Sequence, residues 1–334
     1  VEESRQESYR NPVKAIVTGI GDLFKRPGEQ VVLKDTDRLD GKKVLITGAS
    51  SGLGFATAVE LAGRGAHVIM AVRSGIPAKG EEVRRISGSG LVEMIRLDLA
   101  DVDSLPGFVA ELKERYGPVD LVVCNAGMVS RQGRQVKYGL DEMFTVNYFA
   151  KFLLVSLCLE AGCLNREGPE RPRIIFVASE SHRNAAGFDW EGFGKYTPYG
   201  IRQSVAMYGY YKLLLLTMAN ELSRRINASV FALCPGPVNS NIAREAPALL
   251  QPLLKLVFRV FFRSPRKACL PVVYLAASPE VEGSTLNYLF LMQPKLMDGK
   301  ATDPENGRRL WELSARLREE IWPPAPAARS SPVT

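Results

Sequence analysis

The apolar run Lys43-Val44-Leu45-Ile46 leads straight into Thr47-Gly48-Ala49-Ser50-Ser51-Gly52-Leu53-Gly54, and a segment of helical periodicity follows as far as Gly63. A strand, a glycine-rich turn and a helix in that order leave few folds open. The glycines permit a tight turn, close approach of a pyrophosphate to bare backbone, and close packing of helix on strand. The helix N-terminus then presents free N–H groups to an anion. A chain that begins its ordered part this way is expected to build a parallel sheet around a dinucleotide site.

The remainder keeps the same beat, which implies parallel strands joined by crossover helices. Strands are expected at Ala66 to Ala71, Val92 to Leu97, Val119 to Val123, Arg173 to Val177 and Ser229 to Leu233. Helices are expected near Ser104 to Tyr116, Met143 to Glu160 and Gln203 to Arg225, with a polar loop rich in Gly, Tyr and Trp from Ser181 to Arg202. The prediction is an α/β fold, a Rossmann-type doubly wound sheet of about seven strands in one domain over 40–320. A substrate lid is placed at 240–267, an N-terminal arm at 1–39 and a disordered tail at 321–334.

Composition closes off other classes. With 43 basic against 36 acidic residues in 334, bulk charge does not suggest nucleic-acid binding. Five scattered cysteines without a CxxC spacing, and two histidines, argue against a structural metal and against a disulfide framework. The cysteines read as small buried apolar side chains in a reducing, cytoplasmic setting. No uninterrupted apolar run of ~20 residues is present to cross a membrane.

Ligands in open α/β sheets bind outside the carboxyl ends of the strands, and the chemistry-bearing residues fall there. Ala71-Val72-Arg73 ends the second strand with a base and no carboxylate. A guanidinium grips a phosphate with paired charge-assisted hydrogen bonds, so the 2′-phosphate of NADP(H) is favoured over the free ribose of NAD(H). Asp98 and Leu99 close the third strand, and Asn125-Ala126-Gly127 the fourth. Tyr208 and Lys212 stand at i and i+4, on one face of a helix. A neighbouring cation lowers a tyrosine pKa, which suits Tyr208 to proton transfer during hydride chemistry. No other tyrosine in the chain has lysine at that spacing.

The GxxxGxG spacing at Gly48, Gly52 and Gly54, followed in order by Asp98, Asn125-Ala126-Gly127, Asn147, Ser179, Tyr208-Gly209-Tyr210-Tyr211-Lys212 and Pro235-Gly236, resembles the short-chain dehydrogenase/reductase family over about 40–320. The resemblance implies a cofactor site formed by Gly48, Ser50, Ser51, Gly52, Leu53, Gly54, Arg73, Asp98, Leu99, Asn125, Ala126, Gly127, Pro235, Gly236 and Val238, with Tyr208 and Lys212 shared with catalysis. It also implies that Lys212 binds the nicotinamide ribose and lowers the pKa of Tyr208, that Tyr208 moves the proton, and that Ser179 orients the substrate oxygen. Asn147 would help position Lys212 and a relay water. Two departures stand out: Ala178-Ser179 where the family usually has two serines, with Ser181 as an alternative, and Asn239-Ser240 where it often carries threonine.

Gly65 to Arg73 and Asp303 to Ser314 further resemble the retinol-dehydrogenase-like branch, which handles lipophilic alcohols and carbonyls and also resembles protochlorophyllide reductases. The segment 248–267 is strongly apolar with Lys255, Arg259 and Arg263 four apart. It suits a greasy lid over a lipophilic substrate, peripheral contact with an anionic membrane, or an interface between two copies. A shorter amphipathic stretch at 12–26 is a second candidate for peripheral membrane contact, or for an arm docked on the protein's own surface. The expected activity is NADPH-dependent interconversion of a carbonyl and an alcohol. The alternatives are a double-bond reductase and a non-catalytic NADP(H)-binding regulator on the same fold.

Overall fold

In the computed structural model, which describes residues 30–164, 171–236, 264–285 and 288–323, the first strand lies in the middle of the sheet. β1 (Lys43–Thr47) pairs with β2 (His67–Val72) on one side and β4 (Leu121–Cys124) on the other, both parallel. β3 (Val92–Arg96), β5 (Arg173–Val177), β6 (Ser229–Cys234), β7 (Tyr288–Phe290) and the two-residue β8 (Gln293–Pro294) complete the order β3-β2-β1-β4-β5-β6-β7-β8. Only β8 runs antiparallel to its neighbour. The sheet is the expected doubly wound one, with eight strands rather than about seven. The order reverses between β1 and β4, which opens a crevice at their carboxyl ends.

Both faces of the sheet are covered, so the strands β4 to β7 are buried end to end. In β1, Val44 and Ile46 point into a layer with Leu61, Val272 and Leu275, while Leu45 points into the opposite layer with Leu112, Leu153 and Leu214. The first layer is formed by α1 (Gly52–Gly63), α2 (Ala78–Ser87) and α6 (Leu270–Ala277). The second is formed by α3 (Leu105–Tyr116), α4 (Glu142–Glu160) and α5 (Ile201–Arg225). Each aliphatic side chain so enclosed contributes about 1.5–3 kcal/mol.

α4 is the helix most like a membrane span by length and composition among the described residues, yet 83% of its apolar window is buried inside the protein. It is a core helix, interrupted by a π turn at Thr145–Phe149. The Asn147 side-chain amide donates to the Met143 carbonyl at 3.0 Å, competing for the acceptor its own backbone N–H would use in a regular helix. α7 (Pro304–Ile321) packs across α5. Asp303 caps it, Pro304 occupies its first turn, and Gly307, Leu310, Ser314 and Ile321 form its buried stripe. The Ser314 hydroxyl meets the buried Tyr148 hydroxyl at 2.6 Å. The arm at 12–26, the lid through residue 263 and the tail from 324 lie outside the described residues.

A buried arginine ties the sheet to α6. Arg173, the first residue of β5, donates to the carbonyls of Leu275, Ala276 and Ser278 at 2.8–3.2 Å and pairs with Glu282. A cation on orphan carbonyls at a helix C-terminus is favourable twice over, by hydrogen bonding and by the helix dipole. Arg173→Ala is expected to lower the unfolding free energy by about 3 kcal/mol in urea denaturation. A loss below ~1 kcal/mol would show that the anchor is not structural.

Candidate active site

A cleft of about 710 Å³ opens at the carboxyl ends of the strands, at the switch between β1 and β4. Its floor is the glycine-rich turn. Gly48 sits at φ +68° and Gly52 at φ +56°, conformations that L side chains rarely adopt. A Cβ on Gly54 would lie 2.4 Å from Asn125 Nδ2 and 2.5 Å from the Gly48 carbonyl oxygen. No side chain caps the first turn of α1, so its N–H groups face an incoming anion.

Asn125 is placed to hold this turn. Its amide donates to the carbonyls of Thr47 at 2.9 Å and Gly48 at 3.3 Å, while the Ala126 N–H donates to Thr47 Oγ1 at 3.1 Å. Arg73 lines the cleft beyond the turn and is exposed. Half-buried Asp98 and buried Leu99 border the same end, with Asp98 accepting the Ala100 N–H at 3.0 Å. The turn thus offers bare backbone and open N–H groups to a phosphate.

Tyr208, Lys212 and Ser179 form the opposite wall with Pro235 and Gly236. Tyr208 and Lys212 rise from successive turns of α5, the Lys212 ammonium lying 5.5 Å from the Tyr208 ring centroid. Lys212 is buried and donates to the Val177 carbonyl at 2.9 Å. Ser179 Oγ donates to Ser181 Oγ at 3.0 Å and accepts the Ser181 N–H at 3.2 Å. Ser179 lines the cleft and Ser181 stands behind it. α5 comes this close because Gly209 has no side chain: a Cβ there would lie 2.5 Å from the Ser181 carbonyl oxygen.

The electrostatics differ from the sequence-based expectation. Burial raises the Tyr208 pKa above its ordinary value, Cys234 adds to the rise, and the Ser179 hydroxyl opposes it. Burial, reinforced by Lys151, holds Lys212 well below the usual lysine range. Desolvation thus dominates both groups, and the lowered tyrosine pKa expected from the lysine alone does not appear.

A family model described as short chain dehydrogenase matches residues 42–249. Retinol dehydrogenase 14 of Homo sapiens is 33% identical over 300 residues, covering 84% of this chain and 87% of its own length. The WW domain-containing oxidoreductase of Homo sapiens is 35% identical over 291 residues, covering 84% of this chain and 69% of its own. Among solved structures, a protein from Mycobacterium Paratuberculosis aligns with a TM-score of 0.67 at 26% identity, over 87% of this chain and 98% of its own. NADPH-Dependent 3-Quinuclidinone Reductase from Rhodotorula Rubra shares the fold at a TM-score of 0.56 and 20% identity, over 80% of this chain and 98% of its own.

The chain belongs to the short-chain dehydrogenase family. Within it, the chain falls in the retinol-dehydrogenase-like branch.

For this short-chain dehydrogenase the structure brings together on one cleft every site residue expected from sequence except two. Val238 lies outside the described residues. Asn147 is fully buried behind the wall, where its side chain grips Met128: Nδ2 donates to the Met128 carbonyl at 2.8 Å and Oδ1 accepts the Met128 N–H at 3.2 Å. Sequence reasoning missed Met128, Val129 and Val146 on the cleft wall, and the Arg134–Glu142 ion pair beside them. Being adjacent in sequence to Gly127 and Asn147 was the one signal available.

It also missed the support behind Ser179. His182 Nδ1–H donates to the Ser179 carbonyl at 2.7 Å and its Nε2 accepts the Asp298 N–H at 3.3 Å, so both ring nitrogens are occupied only in the neutral form. Next to it Glu180 pairs with Arg183 and Lys295 and accepts the Tyr288 hydroxyl at 2.6 Å. Burial pushes the His182 pKa down from 6.5 to about 4. A depressed histidine means that the unfolded chain takes its proton first as pH falls. Stability from this group is therefore full above pH 6.5 and is lost between 6.5 and about 4. Urea unfolding should show stability falling by roughly 1.4 kcal/mol per pH unit in that window, and His182→Gln should flatten the slope. An unchanged slope in the variant would assign the loss elsewhere.

Proposed function

We propose that this short-chain dehydrogenase interconverts a carbonyl and a primary or secondary alcohol on a lipophilic substrate, with NADP(H) as hydride donor or acceptor. The observation that carries the reading is the single cleft with Tyr208, Lys212 and Ser179 on one wall and the glycine turn and Arg73 on the other. The cofactor supplies the hydride chemistry when bound. The residues suited to hold it are Gly48, Ser50, Ser51, Gly52, Leu53 and Gly54 at the pyrophosphate, Arg73 at the 2′-phosphate, and Asp98, Leu99, Asn125, Ala126 and Gly127 along the adenosine.

The protein's own part is proton control. Tyr208, half-buried on the cleft wall and protonated there, donates its hydroxyl proton to a carbonyl oxygen as negative charge grows on it, or takes it back in the alcohol direction. A Ser179 hydroxyl on the same oxygen orients it and stabilises the developing charge. Lys212 as a cation would stabilise the tyrosinate left behind. The Val177 carbonyl fixes where that charge sits.

The substrate class is supported by what surrounds this chemistry. Met128, Val129, Val146 and Val177 line the cleft. Ile201 and Val205 are 64% and 46% exposed, two turns and one turn before Tyr208 on the same face of α5. Exposed aliphatic side chains leading into a reacting centre fit an apolar substrate body.

Tyr208→Phe is expected to reduce NADPH-dependent turnover of a lipophilic aldehyde or ketone about 100- to 10,000-fold while leaving NADPH binding intact. Full turnover in the variant would remove Tyr208 from the mechanism. For the cofactor, Arg73→Ala should weaken NADPH about 10- to 100-fold and leave NADH unaffected in fluorescence titration. Equal losses for both cofactors would mean that Arg73 does not read the 2′-phosphate.

A further inference from the structure

Two loops contribute to the cleft wall beyond the ends of their strands. One runs from β3 to α3 and carries Asp98 and Leu99, and the other runs from β4 to α4 and carries Met128, Val129 and Arg134. The first is braced by its own turns. The Asp98 carboxylate accepts the Ala100 N–H at 3.0 Å, its carbonyl accepts the Asp101 N–H at 3.2 Å, and the Asp101 carbonyl accepts the Ser104 hydroxyl at 2.7 Å. The second folds back on itself. The Glu142 N–H donates to the Arg134 carbonyl at 2.8 Å and the Val136 N–H to the Leu140 carbonyl at 2.9 Å, while the Arg134 and Glu142 side chains pair on the cleft wall. With each loop braced internally, the spacing between them depends on what joins them.

Asp103 joins them. It lies on the turn Val102–Ser104 of the first loop and does not itself line the cleft. Its carboxylate accepts Lys137 Nζ at 2.9 Å and the Tyr138 hydroxyl at 2.6 Å, both from the second loop, and the Trp322 indole N–H at 3.4 Å from the end of α7. The Tyr138 and Lys137 donors hold the Asp103 carboxyl below the ordinary carboxylate range, so it is ionised at neutral pH. The backbone gives a second sign. Tyr138 sits at φ +62°, in the left-handed region that favours glycine, with Gly139 following at φ +70°. A tyrosine keeps such a conformation only when its surroundings hold it there, and its hydroxyl is held by Asp103.

We propose that Asp103 is a positioning residue for the cofactor: it clasps the Asp98–Leu99 loop to the Arg134 loop and so slows the escape of NADP(H) from the cleft that both loops line. The proposal rests on the reading of this cleft as the cofactor site. An isolated exposed ion pair adds little to global stability, but here three donors from two segments converge on one carboxylate. What they resist is local opening of a loop, which draws on far less free energy than unfolding. A ligand lying along both walls leaves faster when either can swing away, so the clasp acts on dissociation more than on association. The clasp is made by residues other than Tyr208, Lys212 and Ser179, so proton transfer does not depend on it.

The test is the NADPH dissociation rate, read by stopped-flow fluorescence as excess NADP+ displaces bound NADPH. Asp103→Ala should release NADPH about 5- to 20-fold faster. Tyr138→Phe, which loses one hydroxyl from a half-exposed ring and guards against misfolding of the alanine variant, should do so about 2- to 5-fold faster. The double variant should be no faster than Asp103→Ala alone, because both changes break the same contact. Amide hydrogen exchange over 133–141 in the free protein should quicken in both single variants, a readout that needs no cofactor. Hydride transfer to a lipophilic aldehyde in single turnovers at saturating NADPH should stay within about two-fold of the wild-type rate. Unchanged NADPH release or unchanged exchange in the single variants overturns the proposal. A strictly additive double variant, or an equal fall in the hydride-transfer rate, overturns it too, as the mark of general loosening. Wild-type protein that binds neither NADPH nor NADH would instead overturn the reading of the cleft, and the proposal with it.

Discussion

Two backbone turns meet at the centre of this sheet with no room for a side chain between them, and the site depends on that approach. The β1 turn and the β4 turn are stitched by the Asn125 amide on the carbonyls of Thr47 and Gly48, and by Thr47 Oγ1 receiving the Ala126 N–H. A Cβ on Gly48 would lie 2.9 Å from Ala126 Cα, and one on Gly54 collides with the Asn125 amide. Two short side chains hold backbone directly, so the contact fixes the height of α1 over the sheet and the depth of the crevice together. Gly127, one residue further, lets Asn147 and Lys212 close up from behind in the same way.

The catalytic wall follows a parallel rule. Gly209 allows α5 to lie on the Ser181 carbonyl, which brings Tyr208 beside Ser179. Ser179 is itself steadied from the C-terminal side of the chain, through His182 to the backbone of Asp298 and through Glu180 to Tyr288 and Lys295. The short β7 and the segment after it therefore serve the site although they contribute no group to the cleft. Their work is to keep the half-buried serine loop in one conformation.

Much of this was legible in sequence because it rests on local pattern. The strand, turn and helix around Gly48 to Gly63 read directly, as did the Tyr208–Lys212 spacing and β5, whose predicted bounds match those observed. Where the reading stopped, the determinants are long-range. β7 is three residues long and β8 two, too short to show a period of their own, and they exist because β6 offers an edge. At the π turn, the Asn147 side chain also grips Met128, 19 positions earlier in the chain. α7 carried its own caps at Asp303 and Pro304, and a stripe from Gly307 to Ile321, but those residues were read for family likeness and not for periodicity. The tyrosine pKa was misjudged for a similar reason: the neighbour was visible in sequence, whereas the burial that outweighs it was not.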